Sequence, residues 1–215
     1  MSDSSQDDDS DSSLGGVSRW FSDHLEEVGI YLRVTRAQRI LRRYFAMNAF
    51  DGSMTSLGVV IGALISHISD PGTVIGVILV SGIAMAVSGF SGTYMTESAE
   101  RSRALNELED AMLVDLGDTI IGEASRFVSL FAAIVDGSAP FLASVPAVIP
   151  FYLSLVGLIP VGFAFMASIG ASLATLFLLG VFLGRVSESN IVYSGVKMVV
   201  AGVAVALLAL LLNSR

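Results

Sequence analysis

Charged positions in this chain are gathered into a few stretches, and long apolar segments run between them. From Gly137 to Gly184 there are 48 consecutive residues without Asp, Glu, Lys or Arg, and further charge-free runs cover Gly52–Ser69, Pro71–Thr96 and Met198–Ser214. A hydrocarbon core about 30 Å thick is crossed by roughly 20 apolar residues of helix. The pattern therefore predicts five membrane-spanning helices, at about 45–66, 73–96, 126–149, 154–184 and 191–212. Asp70-Pro71-Gly72 marks the first turn, because this tripeptide stops a helix. The long apolar block has to fold back on itself, and Pro150 and Pro160 bracket the expected turn. Gly137, Pro140 and Pro146 inside the third span predict a broken helix whose freed backbone groups face protein or water.

The composition agrees: 53% of the 215 residues are hydrophobic, 15% are charged and the mean hydropathy is +0.72. These values exclude a soluble globule. The net charge of −8 owes much to residues 1–16, where Asp3, Asp7, Asp8, Asp9 and Asp11 stand among serines; this is expected to be a disordered acidic tail. The tail lacks the basic and apolar regions of a signal peptide, so no cleavage is expected. Residues 17–44 read as an amphipathic juxtamembrane helix, with Trp20, Phe21, Leu25, Val28 and Leu32 opposite Asp23, Glu26 and Glu27. Spans one and two occupy 45–96, an acidic helical segment 97–125, and spans three to five 126–215. The absence of Cys excludes disulfides, thiolate metal sites and cysteine nucleophiles.

Lys and Arg set the orientation. Arg19, Arg33, Arg36, Arg39, Arg42 and Arg43 precede the first span, Arg101, Arg103 and Arg126 lie between spans two and three, and Arg185 and Lys197 flank the gap between four and five. Only Arg215 falls on the other side. The positive-inside rule then gives a cytoplasmic N-terminus and an external C-terminus. The fold class expected is an all-α integral membrane protein of five transmembrane helices, with a short cytoplasmic helical segment between helices two and three. A single Lys among twelve basic residues, beside an acidic tail, points to a salt-adapted source.

An ionisable residue within a span is costly and so marks function. Two qualify, Asp51 and Asp136. At 3.6 residues per turn, Met47, Asp51, Met54, Thr55, Gly58 and Gly62 share one face of span one, and Gly58 with Gly62 forms a GxxxG docking pattern. The plainer alternative is that the glycines only pack and Asp51 is solvated. Span two carries a small-residue stripe of Ser81, Met85, Ser88, Gly89, Gly92 and Thr96. Its Met85 is either a thioether ligand or a gap filler. Beyond it, Glu97, Glu100, Glu107 and Asp110 fall on one helical face, followed by Glu109, Asp115, Asp118 and Glu123. Such a face either binds a divalent cation through its oxygens or is simply solvated, with Arg101 and Arg103 neutralising part of it. Asp-Gly-Ser occurs at both Asp51 and Asp136, and His67 is expected on an outer loop. No phosphate-binding loop, nucleophile elbow, zinc pattern or dinucleotide fingerprint is present, and nothing favours nucleic acid.

At these residues the chain resembles the vacuolar iron transporter family, and most of all its archaeal branch. Met47-Asn48-Ala49-Phe50-Asp51-Gly52-Ser53-Met54-Thr55 is similar to the family's Asp-Gly and hydroxyl-rich helix, and Ser88 through Glu100 to its second-span motif with an acidic extension. Ser194 to Met198 resembles the start of its fifth span. The resemblance covers about residues 40–212. It implies a five-span homodimer in the plasma membrane of an archaeon that moves ferrous iron or manganese out of the cytosol against protons. The pathway would run between the two copies of span one, and Asp51 would have the central role. Gly89 stands where the family has Met, and Thr93 where it has Glu; Met85 lies one turn earlier. The expectation is thus a divalent-metal transporter and not an enzyme. Asp51, Met54, Thr55, Met85 and Asp136 line its pathway, and Asp51 and Met85 ligate the ion. Glu97, Glu100, Glu107 and Asp110 form a cytoplasmic metal site, and Gly58 and Gly62 form the dimer contact. The ion is cargo, with no tightly bound cofactor. Metal ions, protons, the bilayer and a second copy are the partners. The competing expectation is a membrane metal sensor or scaffold that binds metal without moving it.

Overall fold

A computed structural model describes residues 29, 31, 37–187 and 190–213, apart from the side chains of 210, 212 and 213. The acidic tail and most of the amphipathic segment expected over 17–44 lie outside the described residues. Five helices make up the described chain, and no strand occurs among those residues: α1 Gln38–Ile65, α2 Pro71–Met112, α3 Ile120–Leu155, α4 Val161–Val186 and α5 Ile191–Asn213. All five contain segments long and apolar enough to cross a membrane, so this is a multi-pass membrane protein.

Local chemistry sets the helix ends. Asp70 caps α2: its Oδ2 accepts from the Thr73 amide at 2.8 Å and the Thr73 hydroxyl at 2.5 Å, and Pro71 fills the first helical position. The Asp-Pro-Gly tripeptide thus starts a helix rather than stopping one. These hydrogen bonds hold the Asp70 carboxyl below its ordinary range, the Thr73 hydroxyl contributing most. The turn between α3 and α4 falls between Pro150 and Pro160 as expected: α3 runs past the buried Pro150 to Leu155, and Gly157, at φ 81°, makes the reversal before Pro160 at the N-cap of α4. The expected break within α3 is not found. The helix runs through Pro140, Pro146 and Pro150, with serine hydroxyls bonded to its carbonyls nearby: Ser144 to Phe141 O at 2.7 Å and Ser168 to Ala147 O at 2.7 Å.

The contacts divide the described residues into two compact units, one of those up to Gln38 with Ser98–Ser129, the other of Arg39–Glu97 with those from Leu130 onward. The first contains the turn between α2 and α3. There Glu109 Oε1 accepts from the Leu116 amide at 2.8 Å, and Arg126 donates to Gly117 O at 2.9 Å. Tyr31 also packs its ring on Phe127 in this unit. The second unit holds the buried apolar core. Val60, Ala63, Val74, Ile78, Ala147, Phe151, Ala164 and Phe165 form one cluster, and Leu57, Ile61 and Leu176 form another. The α4–α5 pair closes through glycine: a Cβ at Gly180 would stand 2.6 Å from Ser194 O and from Gly195 Cα. The Ser194-Gly195 dipeptide is thus a helix-packing contact.

Candidate functional site

Helix α1 presents three different faces within the second unit. Phe50, Met54, Leu57 and Ile61 belong to the apolar cluster that contains Leu176 of α4. Asn48, Gly52 and Ser53 turn to α3, where Gly52 meets the backbone of Pro140 so closely that a Cβ would stand 2.5 Å from Pro140 Cα. Met47, Asp51, Gly58 and Gly62 lie on an open face. Met47 is 58% exposed, Asp51 is exposed, and a Cβ added at either glycine would meet nothing within 4 Å. The GxxxG pair therefore makes no helix contact among the described residues.

This arrangement splits the stripe read from the sequence. Asp51, Gly58 and Gly62 stay together on the open face. Met54 does not join them, because its side chain packs with Leu57 and Leu176. Thr55 borders a narrow cleft shared with Met85, Ser81 and Gly82 of α2 and Ser144 of α3, so Thr55 and Met85 line the same cleft.

Asp136 is the most enclosed carboxylate of the spans, with 3% exposure. Its Oδ2 accepts from the Thr93 hydroxyl at 2.6 Å, and its Oδ1 from the Asn48 side-chain amide. Asn48 also donates to Tyr44 O at 3.3 Å, which fixes its NH₂ toward two acceptors. One glycine makes room for the carboxylate and a second lets α2 approach α3 beside it. A Cβ at Gly89 would stand 3.3 Å from Asp136 Oδ2, and one at Gly137 would stand 2.7 Å from Ala86 O. One turn away along both neighbouring helices, the Tyr44 hydroxyl donates to Glu97 Oε1 at 2.9 Å, and Glu97 is 4% exposed. Tyr44 with Asn48, and Thr93 with Glu97, are each four residues apart, so matching turns of antiparallel α1 and α2 carry the two polar contacts.

Glu97 is thus turned inward to a tyrosine. Glu100, Glu107 and Asp110, within the first unit, are exposed, and Glu107 pairs with Arg103 at 2.9 Å. Among the described residues no group of three or more His, Asp or Glu is arranged to hold a metal ion. The four carboxylates that share a face in the sequence are divided because burial takes Glu97 and leaves the other three to solvent. Sequence reasoning missed Tyr44 and Asn48 as partners of buried acids. The available signal was their four-residue spacing, matched by that of Thr93 and Glu97 on the next helix.

Over 174 residues the chain is 34% identical to an uncharacterized protein of Methanocaldococcus jannaschii, an alignment covering 80% of this chain and 87% of that one. It belongs to the same family as that protein. No protein-family model matches the chain, and no solved structure does.

Proposed function

We propose that this membrane protein is a divalent-cation transporter that works as a homodimer and carries ferrous iron or manganese out of the cytosol in exchange for protons. The observation that carries the reading is the open face of α1, where Asp51 sits about two turns beyond Arg43, inside the apolar part of the helix, on the same face as two glycines whose added Cβ atoms would meet nothing. A carboxylate facing lipid is costly. A second copy of the same face would dock through Gly58 and Gly62 and enclose both Asp51 side chains between the protomers. Two carboxylates at a shared axis form an oxygen-donor site for a hard or borderline divalent cation. Thr55 and Met85 would line the adjoining cleft and add a hydroxyl and a thioether.

The resemblance to the vacuolar iron transporter family supports the cargo and the direction. The distribution of Arg and Lys supports a cytoplasmic N-terminus and a cytoplasmic α2–α3 segment, whose exposed Glu100, Glu107 and Asp110 would attract cations. The plasma membrane of an archaeon is the setting this reading implies. Met54 is left out of the pathway because it packs in the apolar core. Reconstituted protein should move Fe²⁺ and Mn²⁺ across a vesicle membrane, and Asp51→Ala should abolish that flux while still inserting. Binding without flux would instead identify a sensor or scaffold.

A further inference from the structure

Asp136 lies apart from the open face of α1, and its surroundings distinguish a proton site from a cation site. The two contacts on its oxygens come from chemically different donors. The Asn48 amide nitrogen can only donate, so Oδ1 remains an acceptor whatever the charge of the carboxyl group. The Thr93 hydroxyl, 2.6 Å from Oδ2, can donate to a carboxylate or rotate to accept from a carboxylic acid. Oδ2 can therefore gain or lose a proton with no heavy atom moving, and both states keep two hydrogen bonds. A metal ion would have to displace both neutral donors from a position that is 3% exposed and closed over by Gly89.

The titratable groups nearest this pocket are Tyr44 of α1 and Glu97 of α2, with Asp51 on the adjoining open face of α1. Asn48 and Asp51 are three residues apart on α1, neighbours on the helix surface. Asn48, which holds Asp136 Oδ1, and Gly52, which meets the Pro140 backbone, stand on either side of Asp51 along α1, so the α1–α3 contact brings Asp51 within about one helical turn of the place where Asp136 meets α1.

We propose that Asp136 is the proton site of the transport cycle, protonated on Oδ2 while Asp51 lacks a cation and deprotonated when a divalent cation binds at Asp51. This rests on the transporter reading above. In the cation-free state two carboxylates near each other in a low-dielectric span repel, and a proton on Asp136 removes that repulsion. A divalent cation at Asp51 reverses the local field. The Oδ2–H bond then breaks, its electron pair stays on Oδ2, and the proton leaves to water. By linkage, a proton on Asp136 weakens cation binding by the same factor that the cation weakens proton binding.

Infrared difference spectroscopy of reconstituted protein, recorded on adding Mn²⁺ alone, reads the proton directly. The wild type should lose the carbonyl band of a protonated carboxylic acid, and Asp136→Asn should show no such loss while still binding Mn²⁺. Apparent Mn²⁺ affinity of the wild type should rise with pH by up to about tenfold per unit, the slope for one released proton, and flatten in Asp136→Asn. A band loss that survives Asp136→Asn overturns the proton site alone. A wild type that does not bind Mn²⁺ overturns the transporter reading and the proton site with it. If Asp136→Asn fails to fold, Thr93→Val keeps the carboxyl group but removes its acceptor. The band should then shift in frequency, and an unmoved band overturns the proposal.

Discussion

Two glycines six residues apart on α1 should respond in opposite ways to the same added methyl group. At Gly52 a Cβ would lie 2.5 Å from Pro140 Cα and 2.7 Å from its carbonyl carbon, with the carbonyl oxygen closer still. These are backbone atoms of α3, held by the helix, so relief requires α1 and α3 to separate. Overpacking of this kind costs about 1–3 kcal/mol, and exchanging Gly for Ala within a helix returns about 1 kcal/mol. Because the clash is with three backbone atoms, the upper end of that cost applies, and the net loss for Gly52→Ala is about 2 kcal/mol, or a melting temperature lower by about 4–8 °C at the roughly 2–4 °C per kcal/mol typical of chains this long. At Gly58 the added methyl meets nothing within 4 Å, so the protomer should keep or slightly raise its melting temperature. Circular dichroism melts in detergent, at dilutions where the chain is monomeric, separate the two. In membranes Gly58→Ala should weaken association, and a lone cysteine introduced by Gly58→Cys should cross-link between copies. A wild-type melting temperature for Gly52→Ala, or a comparable drop for Gly58→Ala, would refute the assignment of these faces.

The two methionines of the expected pathway should separate in the same spirit. Met54→Leu is a volume-conserving change in an apolar cluster and should cost under about 1.5 kcal/mol with flux intact, whereas Met85→Leu removes the thioether from the cleft and should slow Mn²⁺ flux severalfold. At the α1–α2 turn, Asp70 should titrate below the ordinary carboxylate value of about 3.9. Because its folded pKa is depressed, its contribution to the cap is present above that ordinary value and is lost as pH falls through the lower folded one. Exchange of the Thr73 amide should therefore accelerate only in that acidic window, and a midpoint at or above about 4 would contradict the capping account. The natural absence of cysteine gives a clean background for topology. Ser69→Cys should label from outside the cell and Ser102→Cys only after the membrane is opened, and the reverse pattern would invert the proposed orientation.

The number and rough positions of the helices were legible because the charge-free runs report burial in lipid directly. Their ends were less so. Helix α2 continues to Met112 through Glu97, Arg103 and Glu107, and hydropathy cannot register a helix that carries on beyond its apolar part. Pro140 and Pro146 read as breaks because a missing N–H is visible in sequence, whereas the close packing of α1 on the Pro140 backbone, which holds that stretch of α3, is not. The bracket of Pro150 and Pro160 located the reversal after α3, though not the residue that makes it, Gly157 at positive φ. Asp51 and Asp136 stood out through the scarcity of charge. Which neighbours they met did not, because Asn48 and Thr93 reach Asp136 only through the registers of three helices. Met54 and Thr55 are adjacent in sequence and equally near Asp51 on a helical wheel. Only the position of α4 decides that the first is core and the second lines the cleft.

The most direct test of the account is Mn²⁺ uptake into vesicles containing wild-type protein or Asp51→Ala at matched insertion and orientation. The account predicts time-dependent, saturable flux with the wild type and none above protein-free vesicles with the variant. Equal flux through both would contradict it, as would binding by the wild type with no flux at all.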